Sequence, residues 1–275
     1  MTSFHPRSAG PSATMTGVAL GARTFVVRFE VPLADDAWTL PEEPVPESQP
    51  HDIVVDLLKQ ILLAWAARVG DAQVARNLAV RWDETRPTMG ADPDLCVIRP
   101  RTPEGDELTS LSTWLPGHSP PLVAVEVVSP SNAIKDYRTG PERHGASGAQ
   151  ELWVFDPRLK GPRIGGGPFR LQVWRRTDDD SFERVHAGDG PARSEALDAY
   201  LLVVDEGRQL RLANDPGGEH LWLTPEERER AGKENALADM ERERAGKEKA
   251  LADLERERTE KEALRRALAE LKGRG

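Results

Sequence analysis

Two short apolar runs, each associated with one acidic residue, most constrain how this chain can fold. Asp94 directly precedes the run Leu95–Ile98, and Glu126 lies inside the run 122–128. Both runs are typical of buried strands. A carboxylate in such a strand is unfavourable unless it is paired, hydrogen-bonded or bound to a cation. The runs therefore predict two strands of one sheet and a site for a hard cation such as Mg²⁺, which binds one or two carboxylates and retains water.

The other periodic segments predict a sheet flanked by helices. Apolar residues recur at helical spacing over 51–69 and end at Gly70, which predicts an amphipathic helix and its C-terminus. A second, short helix is predicted over about 141–146. Apolar runs predict strands at 24–31, 74–82, 95–98, 122–128, 152–155, 169–175 and 182–186. This order of helices and strands indicates an α/β or α+β domain built on a mixed sheet.

Shifts in composition divide the chain into three parts. Residues 1–50 contain seven of the 22 prolines, which predicts an N-terminal extension with one strand and a Pro-rich loop. Residues 51–222 hold the predicted α/β domain. Residues 223–275 are different in kind, because their sequence is charged and repetitive.

The C-terminal part is predicted to be one long helix. From Glu227 the sequence repeats every 14 residues, as ERERAGKENALADM, ERERAGKEKALADL and ERERTEKEALRRAL. Thr224 and Pro225 form a favourable helix start. One seam carries Leu or Met in one heptad and Arg and Lys in the next. This half-apolar seam leaves two alternatives open: a weak coiled coil that forms a homo-oligomer, or a solvated single helix supported by its own ion pairs.

Charge and cysteine content narrow the possible functions. The chain has a formal net charge of -9, and residues 225–275 contain 14 acidic and 14 basic side chains, so the acidic excess lies in the body. An acidic body is poor for non-specific nucleic-acid binding, although it does not exclude a local basic groove. The single cysteine, Cys96, excludes a disulfide framework, and its apolar strand indicates a core residue rather than a nucleophile. Because no apolar run reaches the length of a membrane helix, we expect a cytoplasmic protein without a membrane partner.

Three motifs in strand order resemble one protein family. They are Pro93-Asp94, then VEVVSPS over 125–131, and then GAQELWVFDP over 148–157. Over roughly residues 50–205 the chain resembles the Uma-two family of putative restriction endonucleases, within the PD-(D/E)XK nuclease-like superfamily. The resemblance implies a restriction-endonuclease-like fold, in which helices flank a mixed central sheet.

The resemblance also implies a catalytic site. Asp94 would be the first ligand of a Mg²⁺ (or Mn²⁺) ion, Glu126 the second, and the Val127 carbonyl a third. The metal would activate a water molecule for in-line attack on a phosphodiester bond of DNA. A nearby lysine would position or deprotonate that water and offset developing negative charge.

The lysine is where this sequence departs from the pattern. In the superfamily's simplest form it stands two residues after the glutamate, where this chain has Val128. In the Uma-two family it usually lies on the following helix, at the place that Gly140 occupies here. Among the cations of this segment, which are Lys135, Arg138 and Arg143, Lys135 is the first choice because arginine stays protonated and cannot act as a base. The alternative interpretation of Lys135 is a solvated loop residue.

Other acids and histidines have simpler interpretations. Asp136 is interpreted as a turn cap, with a catalytic part as the alternative, and Asp156 as a turn residue at a strand end. The remaining assignments are a helix cap for His51, packing for His144, and the polar face of the first helix for Asp52 and Asp56.

Two hypotheses therefore remain open. The first is a Mg²⁺-dependent DNA endonuclease that uses Asp94, Glu126 and Lys135. The second is a catalytically degenerate nuclease-like fold that acts as an interaction or oligomerisation module through its C-terminal helix. The acidic body and the absence of lysine at both expected places favour the second hypothesis, whereas two carboxylates in buried strands favour the first.

Overall fold

The computed structural model describes residues 25–27, 38–40, 49–130, 133–163 and 166–272. Within these ranges the helices are α1 (Gln49–Val69), α2 (Ala133–Tyr137), α3 (Thr139–Ala146) and α4 (Pro225–Lys272). The strands are β1 (Phe25–Val27), β2 (Gln73–Arg76), β3 (Ala79–Arg81), β4 (Leu95–Ile98), β5 (Ser110–Ser112), β6 (Val123–Val127), β7 (Glu151–Phe155), β8 (Leu171–Arg176), β9 (Phe182–Gly188), β10 (Ala192–Ser194), β11 (Ala199–Val204) and β12 (Gln209–Ala213).

A mixed sheet of seven strands forms the centre of the protein. Its strand order is β1-β9-β8-β7-β6-β4-β2. Strands β6 and β7 run parallel, and the other neighbouring pairs run antiparallel. All residues of β4, β6 and β7 are buried, as expected of strands that are covered on both faces. The predicted α/β fold with a mixed central sheet is confirmed.

Helices cover both faces of this sheet. On one face, α1 packs Leu58 and Leu62 into a core cluster that includes Val125 of β6. The three-stranded sheet β10-β11-β12 contributes to the same cluster. On the other face, α2 packs Tyr137 into a second cluster with Ala124 of β6. Strand β6 is therefore enclosed between α1 and α2, and its side chains alternate between the two clusters.

Helix α4 begins as the sequence predicts. The Glu227 amide donates to Oγ1 of Thr224 at 3.2 Å, and the Thr224 amide donates to Oε2 of Glu227 at 2.9 Å. This reciprocal pair is a capping box. Arg211 of β12 donates to both carboxylate oxygens of Glu227, at 2.8 and 2.9 Å, and so anchors the first turn of the helix to the domain.

Beyond its first turn, α4 is polar and exposed. Its seam side chains are between 55% and 67% exposed, namely Leu237, Met240, Leu251, Leu254 and Leu268. The predicted long charged helix is confirmed. Neither α4 nor any other helix in the described ranges is long and apolar enough to cross a membrane.

One strand prediction is wrong, and another can be compared with the structure only in part. The segment 74–82 is not one strand: β2 joins the central sheet, whereas β3 pairs with β5 in a separate sheet. The break occurs at Asn77, whose φ of 49° redirects the chain. Of the strand predicted at 24–31, the described part is β1, which is an edge strand of the central sheet beside β9. The rest of that prediction lies outside the described residues.

Candidate active site

The two predicted carboxylates meet at one edge of the central sheet. Strands β4 and β6 are antiparallel, with Leu95 opposite Val125 and Cys96 opposite Ala124. Continuing this register by one residue places Asp94 opposite Glu126. In agreement, the amide of Val127 donates to Oδ2 of Asp94 at 2.6 Å. The carboxyl end of β6 and the start of β4 therefore bring both acidic residues to the same place.

Asp94 is buried and held by two donors. Its Oδ2 accepts from the Val127 amide and lies 3.1 Å from Nε2 of His51, at the start of α1. Only 7% of the residue is exposed. Burial raises the pKa of Asp94, although the hydrogen bond with His51 opposes this effect, and the charge of Glu126 raises the pKa further. A carboxylate in this position is unfavourable without an additional positive charge.

Glu126 is buried beside a histidine and a lysine. Its Oε1 lies 2.8 Å from Nε2 of His144 on α3. Its Oε2 lies 4.0 Å from Nζ of Lys135 on α2. This separation exceeds that of a hydrogen bond, so the amine and the carboxylate interact through charge rather than by direct contact. Glu126 thus connects β6 to both short helices that cover this face of the sheet.

Lys135 faces the acidic cluster rather than open solvent. Its Nζ also lies 3.7 Å from Oδ1 of Asp92, and its side chain is 29% exposed. The charge of Glu126 is the main cause that raises the pKa of Lys135, with burial opposing and with Asp92, Asp136 and Asp94 contributing. The amine is therefore protonated at neutral pH.

Two further charged side chains face the same cluster. Asp136 of α2 is 4% exposed, and its burial, followed by the charge of Glu126, raises its pKa well above the usual value. Burial lowers the pKa of Arg143 on α3, an effect opposed by the charges of Asp92 and Glu126. The site thus combines four acidic residues with one lysine and one arginine, in addition to the two histidines.

The family of the chain can be established by comparison with known proteins. The Uma2 family model, described as putative restriction endonuclease, matches residues 40–180. The chain belongs to the Uma2 family. The family predicted from the three sequence motifs is thereby confirmed. Because the matched segment contains Asp94, Glu126 and Lys135, the candidate site lies in the part of the chain that defines the family.

Comparisons with individual proteins are less informative than the match to the family model. No curated protein matches the chain. Among solved structures, this Uma2 protein is similar to the crystal structure of a putative nuclease belonging to DUF820 from Anabaena variabilis ATCC 29413. The sequences are 15% identical, the TM-score is 0.40, and the match covers 61% of this chain and 86% of that chain.

This Uma2 protein has no basic side chain at either of the two positions where the catalytic lysine is expected, Val128 and Gly140. Val128 is buried in the core cluster that contains Ala133 and Tyr137. Gly140 is buried in α3. Because side chains alternate along β6, Val128 follows Glu126 on the same face of the sheet, and the neighbouring positive charge comes from Lys135 on α2. The structure thus places Lys135 beside Glu126, whereas Arg138 is exposed.

Several acidic residues and the cysteine lie outside the cluster. Arg76 binds Asp52 and, at 2.8 Å, Asp56, so these acids of α1 belong to a surface ion-pair group. Asp156 accepts hydrogen bonds from the amides of Lys160 and Gly161 at 2.9 and 2.7 Å, as a turn residue does. Cys96 is fully buried, and burial raises the pKa of its thiol to about 12, so it is a core residue.

The two histidines are the part of the site that sequence reasoning missed. His51 and His144 show no metal-ligand spacing, and their carboxylate partners lie far away in the sequence. The helix-cap assignment of His51 is wrong, because α1 begins at Gln49 and includes His51, and the packing assignment of His144 did not include its contact with Glu126. A buried carboxylate needs a donor, which is the one signal that could have suggested a search for such partners.

Each of the two carboxylates has one oxygen that contacts a histidine. His51 and Val127 contact Oδ2 of Asp94, and His144 contacts Oε1 of Glu126. These contacts leave Oδ1 of Asp94 and Oε2 of Glu126 without a histidine contact. Within the described ranges, no three His, Cys, Asp or Glu side chains form a ready three-ligand metal site. Mg²⁺ does not require one, because it binds through one or two carboxylates and retains several waters.

Proposed function

We propose that this protein is a Mg²⁺-dependent endonuclease that hydrolyses phosphodiester bonds of DNA. The observation that carries the proposal is the meeting of Asp94, Glu126 and Lys135 at one sheet edge, with 4.0 Å between Nζ of Lys135 and Oε2 of Glu126. Membership of a family described as putative restriction endonuclease supports DNA as the substrate. The PD-(D/E)XK pattern needs two carboxylates and an amine, and in this proposal Lys135 supplies the amine from α2.

The charges of the site favour a divalent cation. Burial raises the pKa of both Asp94 and Asp136, and the charge of Glu126 raises each further. A cation among these groups would relieve an unfavourable charge arrangement. We propose Asp94 and Glu126 as ligands of Mg²⁺, or of Mn²⁺, with the Val127 carbonyl as a third. When bound, Mg²⁺ supplies charge neutralisation at the scissile phosphate and a lower pKa for the attacking water.

Lys135 would act as a fixed positive charge. In the metal-free protein the charge of Glu126 raises the pKa of Lys135, so the amine is a protonated hydrogen-bond donor. In this role it orients the attacking water or a phosphate oxygen and stabilises the negative charge that develops in the transition state.

His51 and His144 would keep the carboxylates in position. Each is nearly inaccessible to solvent, with side-chain exposures of 3% and 1%, and each contacts one oxygen of its carboxylate partner. Partners of this kind fix the orientation of metal-binding groups. We therefore assign His51 and His144 as positioning residues for Asp94 and Glu126.

The exposed seam of α4 favours a second candidate function. In this alternative the nuclease-like domain is catalytically degenerate, and the protein acts as an interaction or oligomerisation module through α4. Leu251 and Leu254 are each 63% exposed, and α4 has nearly balanced charge, which suits association with a second copy. Oligomerisation through α4 is also compatible with an active enzyme, so the two candidates differ in whether DNA is cleaved.

Cleavage of supercoiled plasmid tests the proposed activity. We expect nicking by the wild-type protein with Mg²⁺ or Mn²⁺ and none with EDTA. Asp94→Asn and Glu126→Gln should lower the rate by roughly 10²-fold or more, because each removes a proposed metal ligand. Asp56→Asn, which alters an exposed ion pair with Arg76, is the matched control and should cleave normally. If the folded wild-type protein leaves duplex and single-stranded DNA intact with either metal, the degenerate alternative is supported instead.

A further inference from the structure

A cavity of about 330 Å³ opens beside the candidate active site. It lies between the first turn of α1 and the segments that follow β6 and β7, and the turn between β11 and β12 closes it. Its volume is at the lower end of the range for small-ligand sites. The cavity thus lies at the carboxyl ends of two parallel strands, where open α/β sheets bind their ligands.

The cavity and the candidate site share residues. His51 lines the cavity, and its Nε2 lies 3.1 Å from Oδ2 of Asp94. Val128 also lines the cavity and follows Glu126 on β6 by two positions. His51 thus borders both the cavity and the candidate site.

The lining of the cavity combines apolar walls with charged groups. Pro50, Pro130 and Pro157 form rigid parts of the wall, and Ile53 contributes an exposed aliphatic side chain. Arg158, which also lines the cavity, is exposed on the loop after β7. Flat apolar walls suit the faces of a nucleobase, and a guanidinium suits a phosphate.

The turn after β11 supplies the polar side of the cavity. Arg208 lies 2.9 Å from Oδ1 of Asp205, so these two lining residues form an ion pair, and Gln209 adds an amide. Such groups can hydrogen-bond the edge of a base. Arg170 donates to the carbonyls of Pro157 at 3.0 Å and Gly207 at 3.4 Å, which ties two walls of the cavity together. The cavity is therefore largely preformed.

We propose that this cavity accepts one unstacked nucleotide of the DNA strand, next to the scissile phosphate. The proposal rests on the proposed nuclease function and adds the form of the substrate to it. A base inside a duplex cannot reach such a cavity, whereas an unpaired nucleotide enters with little unstacking penalty. The protein should therefore prefer DNA that contains a single strand, a bulge or a mismatch over a perfect duplex.

Binding measurements test this proposal separately from cleavage. Three fluorescent DNA probes of one sequence context are compared by anisotropy, with Ca²⁺ in place of Mg²⁺: a perfect duplex, a duplex with one bulged nucleotide, and a single strand. We expect the bulged and single-stranded probes to bind about tenfold more tightly than the perfect duplex. The base analogue 2-aminopurine at the bulged position should change its fluorescence on binding.

Matched variants locate the effect in the cavity. Ile53→Trp fills the mouth of the cavity from an exposed position and should abolish the preference. Leu63→Trp introduces the same side chain at another exposed position of α1 and should retain it. Arg158→Ala should weaken DNA binding and lower the salt slope of the binding constant by about one, the value for one lost phosphate contact. Arg163→Ala, on the same loop but outside the cavity lining, should change neither quantity.

The possible outcomes distinguish failure of the nucleotide cavity from failure of the proposed nuclease function. Equal affinity for all three probes, no binding to any of them, or a preference that survives Ile53→Trp would overturn the nucleotide cavity. Preferential binding that Ile53→Trp abolishes supports the cavity, even if Mg²⁺ produces no cleavage and the proposed nuclease function fails. Cleavage of a perfect duplex by a protein that shows no preference for the bulged or single-stranded probe supports the nuclease and overturns the cavity.

Discussion

The amine of Lys135 lies 4.0 Å from Oε2 of Glu126, although the two residues are on different elements. Glu126 belongs to β6 and Lys135 to α2, and α2 packs on the face of the sheet to which Glu126 points. The positive charge that the sequence lacks at Val128 and Gly140 is thus provided by a neighbouring helix. The geometry makes the loss of the usual lysine positions compatible with an active site.

Replacement of Lys135 tests its role as a fixed charge. Lys135→Met should lower the rate of DNA cleavage by roughly 10²- to 10³-fold, the range for removing one group that stabilises the transition state. Lys135→Arg keeps the positive charge and should retain more activity than Lys135→Met. Lys160→Met, which removes an exposed lysine elsewhere, is the control. Equal activity of Lys135→Met and wild type would exclude Lys135 from the mechanism.

His144 should control metal affinity more than the chemical step. His144→Phe keeps a ring in the buried position but removes the donor at 2.8 Å from Glu126. We expect Mn²⁺ affinity, measured by calorimetry, to fall roughly 10- to 100-fold, with kcat largely restored at saturating metal. His118→Phe removes a similar contact, at 2.9 Å from Glu104 outside the site, and should leave the affinity unchanged. A loss of kcat that excess metal does not restore would contradict a positioning role.

Asp136 should destabilise the metal-free protein at neutral pH. Because burial raises its folded-state pKa above the usual 3.8, the folded state binds this proton more tightly than the unfolded state does. Its contribution to stability is therefore largest below pH 3.8 and is lost as the pH rises toward the raised value. Asp136→Asn should increase the free energy of unfolding at pH 7, because the amide removes the cost of ionising a buried carboxyl group.

Thermal unfolding measures this effect. Asp136→Asn should have a higher Tm than the wild-type protein at pH 7, and for a domain of this size each 1 kcal/mol of added stability corresponds to roughly 2–4 °C. The gain should shrink as the pH falls toward 4, and Asp56→Asn at an exposed ion pair should show no such pH-dependent gain. Mg²⁺ should raise the Tm of the wild-type protein by binding the folded state. A Tm of Asp136→Asn below that of wild type at pH 7 would contradict this electrostatic account.

The seam of α4 predicts concentration-dependent association. Sedimentation velocity should show a monomer–dimer equilibrium for the wild-type protein, because association would cover the leucines that α4 exposes. Leu251→Glu combined with Leu254→Glu should give a monomer, whereas Ala252→Glu, outside the seam, should not. A wild-type protein that stays monomeric at all concentrations would identify α4 as a solvated single helix.

Helices and strands that depend on local sequence patterns could be predicted from the sequence alone. The apolar run Leu95–Ile98 and the periodic pattern of α1 specify their structures almost to the residue, because burial and helical spacing act over neighbouring positions. The same applies to the start of α4, where Thr224 and Glu227 form a capping box within one turn. These elements need no information from distant parts of the chain.

Elements that depend on tertiary packing were missed. Helix α2 has only five residues, too few for an isolated helix, and it is stabilised where Ala133 and Tyr137 enter a core cluster. The sheet β10-β11-β12 was also not predicted, although the apolar residues of β11 carried a usable signal. In the site, the burial of Asp136 and the contact of His144 with Glu126 follow from the placement of α2 and α3. Their sequence patterns alone could not show this.

The central claim is that Asp94 and Glu126 together hold a divalent cation, and anomalous diffraction tests it most directly. Crystals of the wild-type protein grown with Mn²⁺ should show one anomalous peak within coordination distance of both carboxylates, on the oxygens that His51 and His144 do not contact. Crystals of Glu126→Gln grown in the same way should lose the peak. A wild-type map with no peak at Asp94 and Glu126, under conditions in which Mn²⁺ saturates the protein, would contradict the claim.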